Sequence, residues 1–171
     1  MKQKILLLLF TTASFANVLD INSFEAEFQQ KIVDDQNKTI LYYGHIIAKK
    51  PQYALWKYTK PVEKSVYILE NRAIIVEPEL EQVIIKKIGK NFDFFKLIQN
   101  AQKISNNQYL ARYNNTTFII KIKENIIYSI SYKDEFENSV TIDFTNQIEN
   151  KKIDTKIFEP SIPDDYDIIR D

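Results

Sequence analysis

One histidine, no cysteine and two glycines bound the chemistry these 171 residues can do. A Ser-His-Asp arrangement would have to use His45, and no Gly-x-Ser-x-Gly turn presents a serine to it. A lone histidine without cysteine does not assemble an ordinary zinc set, and no twelve-residue calcium loop is present. Gly44 and Gly89 are too few for a phosphate-cradling loop or a dinucleotide fingerprint. Carboxylates pair at Asp34-Asp35, Glu79/Glu81 and Asp164-Asp165. All lie in polar turns or the tail, where solvated turn residues explain them better than acid–base work does. The reading is therefore of a binding protein: no catalytic residue, no metal and no cofactor is expected.

Binding chemistry concentrates in Lys50-Pro51-Gln52-Tyr53-Ala54-Leu55-Trp56-Lys57-Tyr58-Thr59-Lys60-Pro61, which holds the single tryptophan. Proline cannot donate to a β-ladder, so Pro51 and Pro61 mark the ends of one short strand. Alternation puts Ala54, Trp56 and Tyr58 on one face and Tyr53, Leu55 and Lys57 on the other. The strand aims a large aromatic ring at a defined place, either a filled core or a cavity.

Aromatic residues make up 13% of the chain, nearly all Phe and Tyr, and favour strands. Strands are predicted over 38–49, 53–59, 65–69, 72–77, 80–87, 108–113, 116–123, 126–133, 139–145 and 152–158. Short turns such as Glu70-Asn71, Asn114-Asn115 and Glu124-Asn125 join them, so the natural arrangement is an antiparallel meander. Two segments read as helices. Over 20–33, Ser23 suits a cap, and Phe24, Phe28 and Ile32 fall close to a period of 3.6. Within 90–103, Phe94, Phe95, Leu97 and Ile98 crowd into a short, very apolar helix. The tail from Glu159 onward is acidic and is expected to be extended and solvated. Ile40-Leu41-Tyr42-Tyr43 and Phe118-Ile119-Ile120 are apolar on both parities, whereas a strand with one wet face alternates. Both sides of such a sheet must be covered, or one side must line an apolar cavity. A sheet of this many strands must curl or close.

The chain opens Met1-Lys2-Gln3-Lys4, continues with an uncharged run from Ile5 to Phe10, and reaches small residues at Ser14 and Ala16. This is the form of an export signal, with cleavage expected after Ala16. Residues 17–171 then form one exported domain. Its formal net charge of zero over the whole chain argues against nucleic-acid binding. A monomer is expected.

In order along the chain, Phe28-Gln29, then Lys50-Pro51 with Trp56 and Pro61, then Glu77-Pro78-Glu79-Leu80-Glu81-Gln82, Phe95-Lys96-Leu97-Ile98 and Phe158-Glu159-Pro160 give a pattern. Together with the leader, it resembles the periplasmic outer-membrane lipoprotein carrier family, LolA. The resemblance implies a mainly β (α+β) fold, a single-domain incomplete antiparallel β-barrel with a helical lid over a hydrophobic cavity. The cavity would hold the acyl chains of lipoproteins, received in the periplasm from an inner-membrane ABC transporter and delivered to an outer-membrane receptor or to the outer membrane itself. A periplasmic regulator sensing lipid or lipoprotein with the same half-barrel is the alternative. The lipid-binding residues on this reading are Phe24, Phe28, Trp56, Tyr58, Phe94, Phe95, Leu97 and Ile98. Plain core packing is the competing explanation for each. The family often places Arg where this chain has Lys50, and uses it to tether the lid. Lysine is a point charge without a planar fork, so a lid held here by Lys50 should be looser or tethered by other groups.

Overall fold

The computed structural model describes residues 19–88 and 94–170, with Phe94 described through its backbone only. The expected leader, residues 1–16, and its cleavage point lie outside the described residues, as does Gly89.

Among the described residues, twelve strands form a single sheet. They are β1 Ser23–Val33, β2 Thr39–Lys49, β3 Tyr53–Lys60, β4 Lys64–Leu69, β5 Arg72–Glu77, β6 Gln82–Lys87, β7 Gln102–Ser105, β8 Gln108–Tyr113, β9 Thr116–Lys123, β10 Ile126–Lys133, β11 Ser139–Glu149 and β12 Asp167–Arg170. One α-helix, α1 (Phe94–Gln99), separates β6 from β7. The order is β12-β6-β5-β4-β3-β2-β1-β11-β10-β9-β8-β7. Two meanders, β1–β6 and β7–β11, therefore lie side by side and are joined by the antiparallel β1–β11 pair. Among the described strands only β12, which lies against β6, pairs in parallel. The sheet stays open, because β12 and β7 stand at opposite edges. It curls strongly enough that Ile46 of β2 and Ile120 of β9 share one buried cluster with Phe95 and Ile98 of α1. The order also explains the helix's position. Chain leaving β6 near one edge must reach β7 at the other, and α1 makes that passage across the concave inner face.

The stretch over 20–33 is not a helix. Its Phe24, Phe28 and Ile32 are four residues apart, and four fits both a helical turn and two strand repeats. Ala26 decides between them. It would fall on the far side of a helix, yet it is wholly buried with Phe24 and Phe28, while Glu27, Gln29 and Lys31 between them are exposed. Full pairing with β2 on one side and β11 on the other then satisfies the backbone. The helical cover expected from this segment is thus absent, and α1 is the only α-helix among the described residues. It is shorter than the 90–103 segment suggested, because residues 102–105 form β7.

Two hairpins share one turn design. Asp34 Oδ1 accepts the amides of Gln36 and Lys38, and Asp134 Oδ1 accepts those of Phe136 and Asn138. Each turn closes through a left-handed residue, Asn37 in one and Glu137 in the other. A carboxylate bonding backbone two and four residues ahead fixes hairpin register without glycine.

The outer face of β3–β6 is covered by the end of the chain. Residues 152–158 are not a strand. Asp154 Oδ1 accepts the amide of Lys156 and starts a 3₁₀ turn over Thr155–Phe158, a local bond that competes with ladder pairing. Phe158 is buried and stacks on Tyr53 at 5.5 Å between centroids. Beyond it, Ile162 and Tyr166 pack on Ile74, Val76 and Val83. The tail thus packs as a strap through Ile162 and Tyr166, while its acidic residues Glu159, Asp164, Asp165 and Asp167 are exposed as expected. Lys49 Nζ donates to the Ile153 carbonyl at 2.7 Å and helps hold its start. Among the described residues no helix is long and apolar enough to cross a membrane.

Candidate functional site

Both peptide bonds preceding Pro51 and Pro61 are cis, and the two prolines lie just outside β3 as their missing N–H requires. Within β3 the expected alternation holds. Leu55 is buried on the outer side with Phe158 and Ile153, and Trp56 and Tyr58 turn inward with Ala54 to meet the main cluster.

Cross-strand partners share a face, so the ladders trace what surrounds Trp56. Ala26 pairs with Ile46, Ile46 with Trp56, Trp56 with Val66, Val66 with Ile75, and Ile75 with Ile84. This row crosses six strands on the inner face. Ala26 and Ile46 are buried, but Trp56, Val66, Ile75 and Ile84 are only half-buried. A second row, Ala54–Ile68–Ala73, runs beside it. The inner face of β3–β6 is thus a continuous apolar floor with incomplete cover.

Phe28 fixes Trp56 from the β1 side. Its ring meets Trp56 edge-on at 5.0 Å and Tyr58 at 5.1 Å. Gly44, opposite Phe28 in the ladder, makes this possible. A Cβ on Gly44 would stand 2.7 Å from Phe28 Cζ and would collide with the Lys57 carbonyl. Tyr58 continues the aromatic line to Tyr42 at 5.8 Å, and its hydroxyl donates to Gln30 Oε1 at 3.0 Å. Burial, with Tyr132 and Tyr42 beside it, pushes the Tyr58 phenol far above its usual range, so it stays neutral.

From the other side, α1 places Phe95 over the floor. Phe95, Trp56, Ile46, Ala48, Ala54 and Ile68 line a cavity of about 180 Å³ that is almost wholly apolar. A cavity of about 150 Å³ holds one benzene ring, so this space takes only a short length of alkyl chain. A long chain must also use the open floor or displace α1. Larger grooves elsewhere are more open and carry more polar surface, such as one of about 430 Å³ on the outer side between Glu70, Arg72 and Glu159. They suit alkyl chains poorly.

The other residues expected at the site fall into two groups. Phe24 is buried against Phe144, with centroids 5.1 Å apart, within the filled half of the inner face. Phe95 and Ile98 of α1 are buried, and Leu97 is half-buried on the same cluster. The side chain of Phe94 lies outside the described residues. Lys50 reaches α1 through an intermediary. Its Nζ lies 3.3 Å from Asp20 Oδ1, and Gln99 Nε2, at the end of the helix, donates to that same oxygen at 2.7 Å.

The floor residues Val66, Ile68, Ile75 and Ile84 were not singled out from sequence. The signal was present nonetheless, because a two-residue turn at Glu70-Asn71 sets Leu69 opposite Arg72 and transfers the parity of Trp56 to each later strand.

His45 lies on the outer face between two carboxylates. Nδ1 is 3.0 Å from Glu27 Oε1, and Nε2 is 3.4 Å from Glu25 Oε1. Lys151 Nζ sits 2.9 Å from Glu25 Oε2 and, through that hydrogen bond, holds the Glu25 carboxyl below its ordinary range. These contacts tie β1, β2 and the segment just after β11 together on the face opposite the apolar floor.

Three comparisons bear on this geometry. A family model described as outer membrane lipoprotein carrier protein LolA matches residues 20–112. The chain is 40% identical over 169 residues to the outer-membrane lipoprotein carrier protein of Campylobacter jejuni, covering 99% of both chains. It is 33% identical over 152 residues to the protein of the same name from Helicobacter pylori, covering 88% of this chain and 82% of that one. Among solved structures, a LolA superfamily protein from Nitrosomonas europaea aligns with a TM-score of 0.50 over 82% of this chain and 91% of its own, at 7% identity. That last likeness concerns fold alone.

Proposed function

The chain belongs to the outer-membrane lipoprotein carrier protein LolA family, and from that premise we propose that it carries lipoproteins by sheltering their acyl chains on the inner face of β3–β6. The observation that carries this reading is the half-buried row Trp56–Val66–Ile75–Ile84. The names of the relatives favour carriage over the sensing alternative.

The energetics fit transport without covalent chemistry. An acyl chain of about 16 carbons gains on the order of 12 kcal/mol on leaving water, at about 0.8 kcal/mol per methylene. Free passage through water is closed to such a cargo, so a carrier must replace the solvent. It must also give the chain up, so its floor must bind less well than a bilayer does. A floor that is partly wet at rest meets that condition, because some of the gain is lost to incomplete burial.

In this account α1 is the movable cover. Phe95 and Ile98 hold it on the inner face, and the small cavity beneath it is where an acyl chain enters. Lys50, Asp20 and Gln99 form its polar latch. With Lys50 30% and Asp20 63% exposed, the latch is worth at most about 1 kcal/mol, so it biases the cover without locking it. Residues 1–16 direct the chain to export, and the mature protein works in the periplasm. It receives its cargo from an inner-membrane transporter and releases it at the outer membrane.

The test is competition for an environment-sensitive apolar dye on the purified protein. A triacylated lipopeptide should displace the dye and its deacylated form should not. Displacement by neither, or equally by both, contradicts an acyl-chain site.

A further inference from the structure

The apolar floor ends on a cation. Lys64 stands opposite Tyr58 in the β3–β4 ladder and so shares the inner face with it. Its Nζ lies 4.6 Å from the centroid of the Tyr58 ring and 5.3 Å from that of Tyr42. The side chain is half-buried, and among the described residues no carboxylate is ion-paired with it. Tyr58, which is neutral and donates to Gln30, supplies no counter-charge. Two aromatic faces give the ammonium partial compensation; Glu77, on the same face one register step beyond Ile75, accepts from Gln82 Nε2 at 2.6 Å, so among the described residues Lys64 has no ion-paired anion. From Lys64 to Ile68 the strand advances about 13 Å, and over that length Val66 and Ile68 alternate inward with Trp56 and Ala54 opposite them.

We infer that Lys64 and the floor behind it form a site for an amphiphile with one alkyl chain and one negative charge, the chain lying along Trp56, Val66 and Ile68 and the anionic head meeting Lys64 Nζ. This rests on the reading that the inner face takes alkyl chains, and adds a ligand class to it. The acyl esters of a lipoprotein are neutral and leave the ammonium unpaired. A carboxylate or phosphodiester at the end of an alkyl chain pairs it, in a setting where reduced solvent screening strengthens the charge-assisted bond. A fatty acid and an anionic lysophospholipid offer the same chemistry.

The test measures dye displacement by four ligands with the same sixteen-carbon chain: hexadecanoate, hexadecanol, lysophosphatidylglycerol and lysophosphatidylcholine. The expected result is about a tenfold preference for hexadecanoate over hexadecanol, equivalent to one ion-pair-scale increment. Lys64→Gln abolishes that preference while hexadecanol affinity stays within about twofold, and Lys64→Arg retains it. If lysophosphatidylglycerol outcompetes lysophosphatidylcholine as well, phospholipids are included among the ligands. If hexadecanoate alone is preferred, the ligand is a fatty acid. Equal binding of hexadecanoate and hexadecanol, or a preference that survives Lys64→Gln, overturns the anionic site and leaves the carrier reading standing. Failure of every alkyl ligand and of the triacylated lipopeptide to displace the dye overturns both.

Discussion

Ile74 and Ile75 are neighbours on β5 and chemically identical, yet their surroundings differ. Ile74 faces outward and is 4% exposed, because Ile162 and Tyr166 of the C-terminal strap lie on it. Ile75 faces inward and is only half-buried. The same contrast recurs on β6, where Val83 is fully buried on the outer side and Ile84 is half-buried on the inner. On the far side of the sheet, the inner face is filled instead: the row Ile142–Ile130–Ile120 is buried throughout. One sheet with one alternation thus has three kinds of surface. The strap covers much of the outer face of β3–β6, where Leu55, Ile74, Val76 and Val83 are buried and Tyr53, Tyr67, Leu69 and Ile85 partly so, curling and α1 close the inner face of β8–β11, and the inner face of β3–β6 is left for something else. On β5 and β6 one cover belongs to the chain while the other is proposed to belong to the cargo; the start of β2, also apolar on both parities, is not covered as expected, since Ile40, Leu41 and Tyr43 are exposed.

Breaking the permanent cover should have the largest effect. Phe158→Ala removes a buried ring stacked on Tyr53 and should destabilise the fold by about 3–5 kcal/mol in urea unfolding. The folded fraction should still bind triacylated lipopeptide with unchanged affinity. Loss of binding without loss of stability would mean that the strap, not the inner face, is functional.

The reverse pattern is expected at Trp56. Trp56→Glu places a charge on the half-buried floor, where water still reaches it, and should weaken lipopeptide binding by about tenfold or more, equivalent to about 1.4 kcal/mol. Its unfolding should stay cooperative. Unchanged affinity in that variant would remove Trp56 from the site.

The smallest effect is expected at the latch. Lys50→Arg supplies a planar fork toward Asp20, where Lys50 offers a single point contact. Hydrogen exchange at the amides of Asn100 and Ala101, which close the end of α1, should slow by less than about fivefold, within the range of an exposed pair. Lys50→Ala should speed it by a similar factor. No change in either direction would show that Lys50 has no hold on the helix.

Much of this was legible beforehand because turns and alternation are local. The hairpins from β2 to β5 and from β8 to β10 follow from short turns and β-branched runs, and the two parities of β3 follow from Pro51, Pro61 and Trp56. The first strand was illegible for a specific reason: apolar residues four apart satisfy a helix and a strand equally, and only Ala26 with the charged residues between separated them. The strap was missed because its contacts are far apart in sequence. Nothing near Phe158, Ile162 or Tyr166 indicates that Tyr53, Tyr67 and Val83 await them. The open floor was half-legible, since Trp56 marked it but extending its row across Val66, Ile75 and Ile84 required the register.

Trp56 is the only tryptophan, which permits one direct test of where the cargo lies. A triacylated lipopeptide with bromine atoms along its acyl chains quenches indole emission only at close contact. Acyl chains lying on the inner face should quench Trp56 strongly on binding, and the same lipopeptide without bromine should not. Dye displacement accompanied by unquenched Trp56 emission would place the acyl chains elsewhere and contradict the assignment of the inner face as the binding site.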